Sequence, residues 1–274
     1  MVDKGLLNLD TPLYKYLPYP DIQKDERYKL ITARIVLSHR TGFPNWRYFN
    51  PADSALNIKF GDLYLKFTPG TQFYYSGEGF YYLAKVVAHL NNKTVQTIEP
   101  VFQREVTLPF KMQHTSFTGN ELISKHKISD HEKGKVQFYN GTTWPVTLPK
   151  MDSSYFNPAA SRHTNALEFS KFIIGWMENK GLTKKNMKEM LKPQGQLPKE
   201  NSNFIENGDT AWGLGFGIAQ TPFGTRYEHG GNNGNFQSLF MMFKDKKIGY
   251  VFFTNCDKEN NFNKELRALL TQGN

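Results

Sequence analysis

The stretch that most constrains this chain is residues 211–255, centred on Glu228-His229-Gly230-Gly231-Asn232-Asn233-Gly234. On one side, Trp212-Gly213-Leu214-Gly215-Phe216-Gly217-Ile218 alternates large apolar residues with glycine. On the other, residues 236–243 and 248–254 are apolar, aromatic and β-prone. Lys244-Asp245-Lys246-Lys247 between the last two is a charged connection of hairpin length. Strands joined this tightly are antiparallel, because a parallel return needs a crossover of about a dozen residues or more. The repeated glycines leave one face of residues 212–218 nearly bare of side chains. Two readings follow. One is a sheet edge open to an extended ligand, with His229 projecting into the site; the other is a glycine-rich turn between core strands.

A chain of 274 residues can form one large domain or two small ones with a sizeable core. With 39% hydrophobic and 15% aromatic residues it can bury enough apolar surface to fold. The net charge of +9 permits attraction to anionic surfaces or substrates. The lysines are scattered, and no basic stripe interleaved with stacking aromatics appears, so nucleic acid is not expected as a partner. Cys256 is the only cysteine, which excludes an intrachain disulfide and leaves the redox compartment open. No apolar run approaches the roughly 20 residues of a membrane span, and Met1-Val2-Asp3-Lys4-Gly5 enters structured-looking sequence without a signal-peptide pattern. Oligomeric state is not legible.

Along the chain, residues 1–17 read as the tail of a helix stopped at Gly5, then a Leu9-Asp10-Thr11-Pro12 connection. Residues 31–37 are a short apolar run before the turn Ser38-His39-Arg40-Thr41-Gly42-Phe43-Pro44. His39 there could be a base or could fix a buried turn. After Thr68-Pro69-Gly70-Thr71, Ser76 is an N-cap for a helix whose apolar face is Phe80, Leu83, Ala84, Val87 and Leu90. Tyr75, just before that helix, can point into a cleft and move protons, or can simply pack. Residues 94–106 predict a helix disturbed at Pro100, and residues 120–158 predict long loops with one hairpin at most. Asn165 with Glu168 fits a capping box for a helix ended by Gly181. A basic helix over 183–191, a polar linker over 194–209 and an amphipathic helix over 262–270 complete the chain.

Metal chemistry finds little support. No His-Glu-x-x-His spacing occurs, and one cysteine excludes thiolate clusters. His126 and His131 beside Asp130 and Glu132 read as a solvated charged loop. No Gly-x-Gly-x-x-Gly or Walker-type loop is present, so neither a metal nor a cofactor is expected.

The ordered set of segments resembles the serine β-lactamase and penicillin-binding-protein superfamily, in its branch of class C β-lactamases, D,D-carboxypeptidases and esterases. Lys4-Gly5-Leu6-Leu7-Asn8-Leu9-Asp10-Thr11-Pro12-Leu13 with Tyr16-Leu17-Pro18 resembles the segment after the nucleophile helix. Ile31-Thr32 through Leu37-Ser38-His39-Arg40-Thr41-Gly42-Phe43-Pro44 resembles the family's Ile-Thr…Leu-Leu-x-His-x-Ser-Gly-Leu-Pro stretch. Tyr75-Ser76-Gly77 after Pro69-Gly70 is similar to Tyr-x-Asn, and Pro109-Phe110-Lys111-Met112-Gln113-His114-Thr115 to Pro-Leu-Gly-Met-x-x-Thr. Trp212-Gly213-Leu214-Gly215 and His229-Gly230-Gly231 match the glycine-rich strand and the Lys-Thr-Gly position.

The resemblance implies an α+β fold over residues 1–274: a mostly helical lobe over 1–204, and an antiparallel sheet with a C-terminal helix over 205–274, without the N-terminal strands. It implies acyl-enzyme chemistry, in which the serine of a Ser-x-x-Lys attacks a carbonyl while lysine and tyrosine move protons. Tyr75 would then be the proton-transfer residue, and His229 would orient the substrate. Asn232 would supply an oxyanion N–H, with Ser76, Gly77, Gly230 and Gly231 lining the substrate. Gly77 for Asn, and His229 for Lys, shift the expectation from a β-lactamase towards an esterase or peptidase. Ser124-Lys125-His126-Lys127 is the one Ser-x-x-Lys spacing, but it follows the tyrosine element in a charged loop. The chain is therefore expected to lack the nucleophile, to be inactive alone, and to leave a sheet edge unpaired. The alternative is a non-catalytic member that holds peptides or muropeptides. The family is commonly exported to the periplasm or cell envelope, which the resemblance carries over.

Overall fold

The computed structural model describes residues 1–49, 52–54, 57–126, 156–233, 236–255 and 259–271. In chain order the helices are α1 (Ala33–Leu37), α2 (Gly77–His89), α3 (Glu99–Phe102), α4 (Glu121–His126), α5 (Ala166–Met177), α6 (Lys184–Leu191) and α7 (Glu259–Thr271). The strands are β1 (Gly195–Gln196), β2 (Ala211–Trp212), β3 (Gly217–Thr221), β4 (Gly224–Asn232), β5 (Gln237–Phe243) and β6 (Ile248–Thr254). They form a sheet in sequence order, with β1–β2, β4–β5 and β5–β6 antiparallel. The fold is α+β, as the sequence implied. The chain groups into two compact units. One comprises Met1–Ile98, Asn157–Ala159 and Leu182–Gly217; the other comprises Glu99–Phe156, Ala160–Gly181 and Ile218–Asn274.

The first unit is built on α2. Ser76 caps it, its Oγ accepting from Gly79 N at 3.2 Å, and the helix buries Tyr82, Leu83 and Val86 against Leu13, Tyr19, Ile31, Val36 and Phe43. Tyr19 and Tyr82 stack at 4.3 Å between ring centroids. Glu78 in the first turn of α2 is buried, and Arg47 holds it through Nη2 at 3.0 Å. The start of the chain is fixed through polar contacts. Gly5 ends a 3₁₀ turn (Val2–Lys4) at φ 68°, and Asp3 accepts from the backbone and hydroxyl of Thr183, the N-cap of α6, at 2.9 and 2.6 Å.

In the second unit, β4 to β6 carry a helix on each face. Residues on a strand alternate faces, so Leu239, Met241, Phe243 and Phe252 pack with Leu266 and Leu270 of α7. On the opposite face Phe169 of α5 meets Phe240 and Phe253 at 5.8 and 6.3 Å between centroids. Asn165 caps α5 as expected, its Oδ1 accepting from Glu168 N at 2.9 Å. The reciprocal half of the capping box is diverted: the Glu168 carboxylate accepts from His114 N at 3.1 Å and pairs with Lys171 at 2.5 Å.

Three local expectations are corrected. The glycine-alternating run 212–218 is not one strand: residues 213–216 form a turn, with Gly213 N donating to Phe216 O at 2.9 Å, between β2 and β3. Residues 194–209 are more than a linker, since β1 pairs with β2 through Gly195↔Trp212 and Gln196↔Ala211. Pro100 does not disturb a helix interior. It sits in the first turn of α3, where its missing N–H costs nothing, and the chain then widens into a π-turn over Gln103–Thr107. Of the loop expected over 120–158, residues 121–126 are α4, and 127–155 lie outside the described residues.

Candidate active site

The tyrosine element is fixed before the helix it precedes. Residues 39–45 and 68–77 are laced together by Gly70 N to Arg40 O and Tyr74 N to His39 O, both at 2.8 Å, and by Gly77 N to Asn45 O at 3.0 Å. His39 is buried, and its Nδ1 accepts from Ser76 N at 3.0 Å. The ring therefore fixes a buried turn. Tyr75 lies flat against it, 4.0 Å between centroids, with Trp212 edge-on to Tyr75 at 6.1 Å and Phe80 at 5.1 Å from His39. Tyr75 keeps 37% of its surface exposed. The surrounding protein nevertheless pushes its phenol up to about 12, with burial as the cause.

Gly77, where the resembled family carries Asn, has a local physical reason. A Cβ at 77 would lie 2.5 Å from the Trp46 ring. The indole occupies the space in which an asparagine side chain would begin, and the Gly77 N–H is taken by Asn45 Oδ1 at 3.0 Å. Neither Trp46 nor Asn45 carried a signal in the sequence, because their role depends on a contact 31 to 32 residues away.

The glycine-rich element is the C-terminal half of β4. β3 has five residues and β4 nine, joined by the two-residue turn Pro222-Phe223. The longer arm ends in His229, Gly230, Gly231 and Asn232, which pair with β5 through His229↔Phe240, Gly230↔Leu239, Gly231↔Ser238 and Asn232↔Gln237. Gly230, Gly231 and Asn232 are exposed, and a Cβ at Gly230 would meet nothing nearer than Ser238 O at 3.6 Å. Of the two readings of the glycine run at 212–218, residues 213–216 take the turn between strands.

Alternation along β4 puts His229 on the α5 face and Arg226 with Glu228 on the α7 face. Burial, aided by the nearby Arg162 charge and opposed by a hydrogen bond with the Gly230 backbone, lowers the His229 imidazole to about 4. The ring is neutral at pH 7. Behind it, buried Glu228 pairs with Arg226 Nε at 3.1 Å and with Arg267 Nη2 of α7 at 2.8 Å. This network anchors β4, and its members gave no sign of themselves in the sequence.

Ser124 lies exposed on α4, beside the Lys125–Glu121 ion pair at 2.7 Å. Lys127, the lysine of that Ser-x-x-Lys, falls outside the described residues, as do His131, Asp130 and Glu132. Among the described residues no His, Cys, Asp and Glu cluster suited to a metal occurs, and no helix is long and apolar enough to cross a membrane.

The Beta-lactamase family model matches residues 1–273. Protein flp of Staphylococcus aureus (strain MRSA252) is 23% identical over 273 residues, covering 94% of this chain and 50% of that protein. The chain thus spans about half the length of the curated relatives it matches. Among solved structures, an octameric penicillin-binding protein homologue from Pyrococcus abyssi superposes with a TM-score of 0.73 at 19% identity, over 100% of this chain and 62% of that one. A β-lactamase/D-alanine carboxypeptidase from Yersinia pestis gives 0.71 at 15% identity, over 99% and 79%. The chain belongs to the Beta-lactamase family, within the serine β-lactamase and penicillin-binding-protein superfamily.

Proposed function

We propose that this chain carries the tyrosine and substrate-strand parts of a serine hydrolase of the class C β-lactamase-like branch, acting on an ester, peptide or β-lactam through an acyl-enzyme. Tyr75 is the proton-transfer residue. His229 orients the substrate, Asn232 N–H contributes to the oxyanion hole, and Ser76, Gly77, Gly230 and Gly231 line the substrate. The observation that most supports this is the exposed glycine pair Gly230-Gly231 at the end of β4. An exposed glycine-rich strand edge can take an extended acyl chain by backbone hydrogen bonds, and it offers fixed N–H groups where a tetrahedral oxygen would bear charge.

A phenol near 12 holds its proton at neutral pH. It can donate to a leaving group as it stands, but it accepts a serine proton readily only if a nearby cation lowers its pKa. The lysine of a Ser-x-x-Lys would meet that need, and residues 1–274 contain no such motif ahead of the tyrosine element. The chain by itself is therefore expected to turn over neither nitrocefin nor p-nitrophenyl acetate. Turnover that vanishes in Ser124→Ala would overturn that placement. If the reading frame continues upstream of Met1 into a Ser-x-x-Lys, the longer polypeptide is expected to hydrolyse one of these substrates. Tyr75→Phe should then lower its rate by about 10²–10⁴-fold; an unchanged rate would remove Tyr75 from the mechanism.

The second reading, a non-catalytic binder of peptides or muropeptides, draws on the Trp46 ring filling the space at Gly77 and on the high phenol pKa. Ligand binding without turnover in the longer polypeptide would favour it.

A further inference from the structure

α2, α3, α4 and α5 each place a glutamate in the first turn, Glu78, Glu99, Glu121 and Glu168, where the positive end of the helix dipole favours it. α6 does the reverse. It has no acid in its first turn and opens on Lys184-Lys185, with Lys188 one turn further on. Lys184 and Lys188 are four residues apart, a spacing at which like charges repel. Neither arrangement stabilises the helix. Thr183 caps it instead, its Oγ1 accepting from Asn186 N at 3.3 Å.

All three lysines are exposed, and none has an ion pair or hydrogen bond among the described residues. The acids nearest in the chain and in space are engaged elsewhere. Glu189 pairs with Arg34, and Asp3 accepts from Thr183 N and Oγ1 at 2.9 and 2.6 Å and from the Asn186 amide. At 3.6 residues per turn the three lysines fall within about 100° of arc, and buried Met187 lies outside it. The Asp3 contacts also bring the turn Val2–Lys4 to the start of α6. Lys4 in that turn is exposed, and so is Leu6 just after it, by 42%. This end of the first unit thus carries Lys4, Lys184, Lys185 and Lys188 with an exposed leucine. Asp3 offsets one of those charges.

We propose that this surface docks the protein on an anionic lipid bilayer, with the lysines meeting headgroup phosphates and Leu6 entering between them. Charge complementarity selects an anionic partner: lysines set against a helix dipole and against each other are stabilised by a layer of phosphates. Leu6 selects the bilayer, because a membrane surface takes up charge and an apolar side chain together, whereas a soluble polyanion takes up charge alone. The docking is independent of the acyl-transfer reading and holds whatever the chain hydrolyses.

Vesicle flotation tests it. The chain is expected to float with mixed phosphatidylglycerol–phosphatidylcholine vesicles at low salt and to stay behind with pure phosphatidylcholine. It should be released in about 1 M NaCl, where charges are screened beyond about 3 Å. One lysine near an anionic surface is worth about fivefold in partitioning, so Lys184→Gln/Lys185→Gln/Lys188→Gln should lower binding about 100-fold. The urea midpoint of that variant should hold or rise, because the dipole and like-charge conflicts are gone. Lys24→Gln/Lys59→Gln/Lys93→Gln removes three other exposed lysines for the same change in net charge, and should lower binding less than about fivefold. Leu6→Gln should lower it about threefold at unchanged charge. Equal losses in the two triple variants would assign the attraction to net charge and overturn the proposal. So would equal binding to neutral vesicles, or undiminished binding in Leu6→Gln. Failure to float with anionic vesicles also overturns it, including the case in which inorganic polyphosphate binds instead.

Discussion

Tyr75 and the end of β4 are held in place by opposite means. Around Tyr75 the contacts are aromatic: His39 stacks on it at 4.0 Å, and Trp212, Phe73 and Phe80 complete the cluster around that imidazole. Around His229 the frame is a strand register, and behind it lies a buried charge network, Arg226, Glu228 and Arg267. Packing sets the tyrosine's position and raises its pKa at the same time. Charge and register set the strand and leave its last glycines exposed.

The largest effect is expected at the back of β4. Glu228→Ala leaves Arg226 buried without its carboxylate and should cost about 3–5 kcal/mol of stability, read from urea unfolding. A loss below about 1 kcal/mol would mean that register alone holds the strand. Next comes His39→Ala, which strands the buried Ser76 N–H and removes the ring under Tyr75. Its expected cost is about 1–3 kcal/mol, and it would break the comparison if stability did not change.

A pair of glycines then sharpens the contrast. Gly77→Ala drives a methyl into the Trp46 ring and should cost about 1–3 kcal/mol, whereas Gly230→Ala, whose methyl would meet only Ser238 O at an ordinary 3.6 Å, should stay within about 0.5 kcal/mol. Thermal unfolding of the two variants side by side decides it; equal losses would show that the strand edge is as tightly packed as the tyrosine element.

The smallest effect is a pH slope. His229 is held neutral in the fold down to about 4, while the unfolded chain takes up its proton near the ordinary histidine value of about 6.5. The unfolded state thus binds more protons in that window, so stability should fall as pH drops from about 6.5 to about 4. His229→Gln should flatten that part of the urea-midpoint profile; an unchanged slope would assign it to other groups.

Much of the fold is legible in local sequence, because local rules govern it. Ser76 and Asn165 were readable as caps since a cap needs only a side chain three residues before the N–H it serves. The hairpin at 244–247 was readable from its charge and length, and Lys247 closes it at φ 54°. The break at 213–216 was not readable: alternating apolar and glycine residues suit both a strand and the turn that Gly213 and Phe216 close. The short β1 was hidden in a polar run because its pairing with β2 is a long-range choice.

The site divides in the same way. The order of the segments, with Tyr75 before a capped helix and His229 before a glycine pair, was enough to identify the family the chain belongs to. Trp46 over Gly77, Arg162 on Phe169 and the Glu228 ion network became visible only in three dimensions. The physical reason is distance along the chain. Caps, turns and hairpins depend on neighbours a few residues away, so composition and spacing determine them. Which ring fills a space, and which charge is left without a partner, depends on residues tens of positions apart, and only the packed chain brings those together.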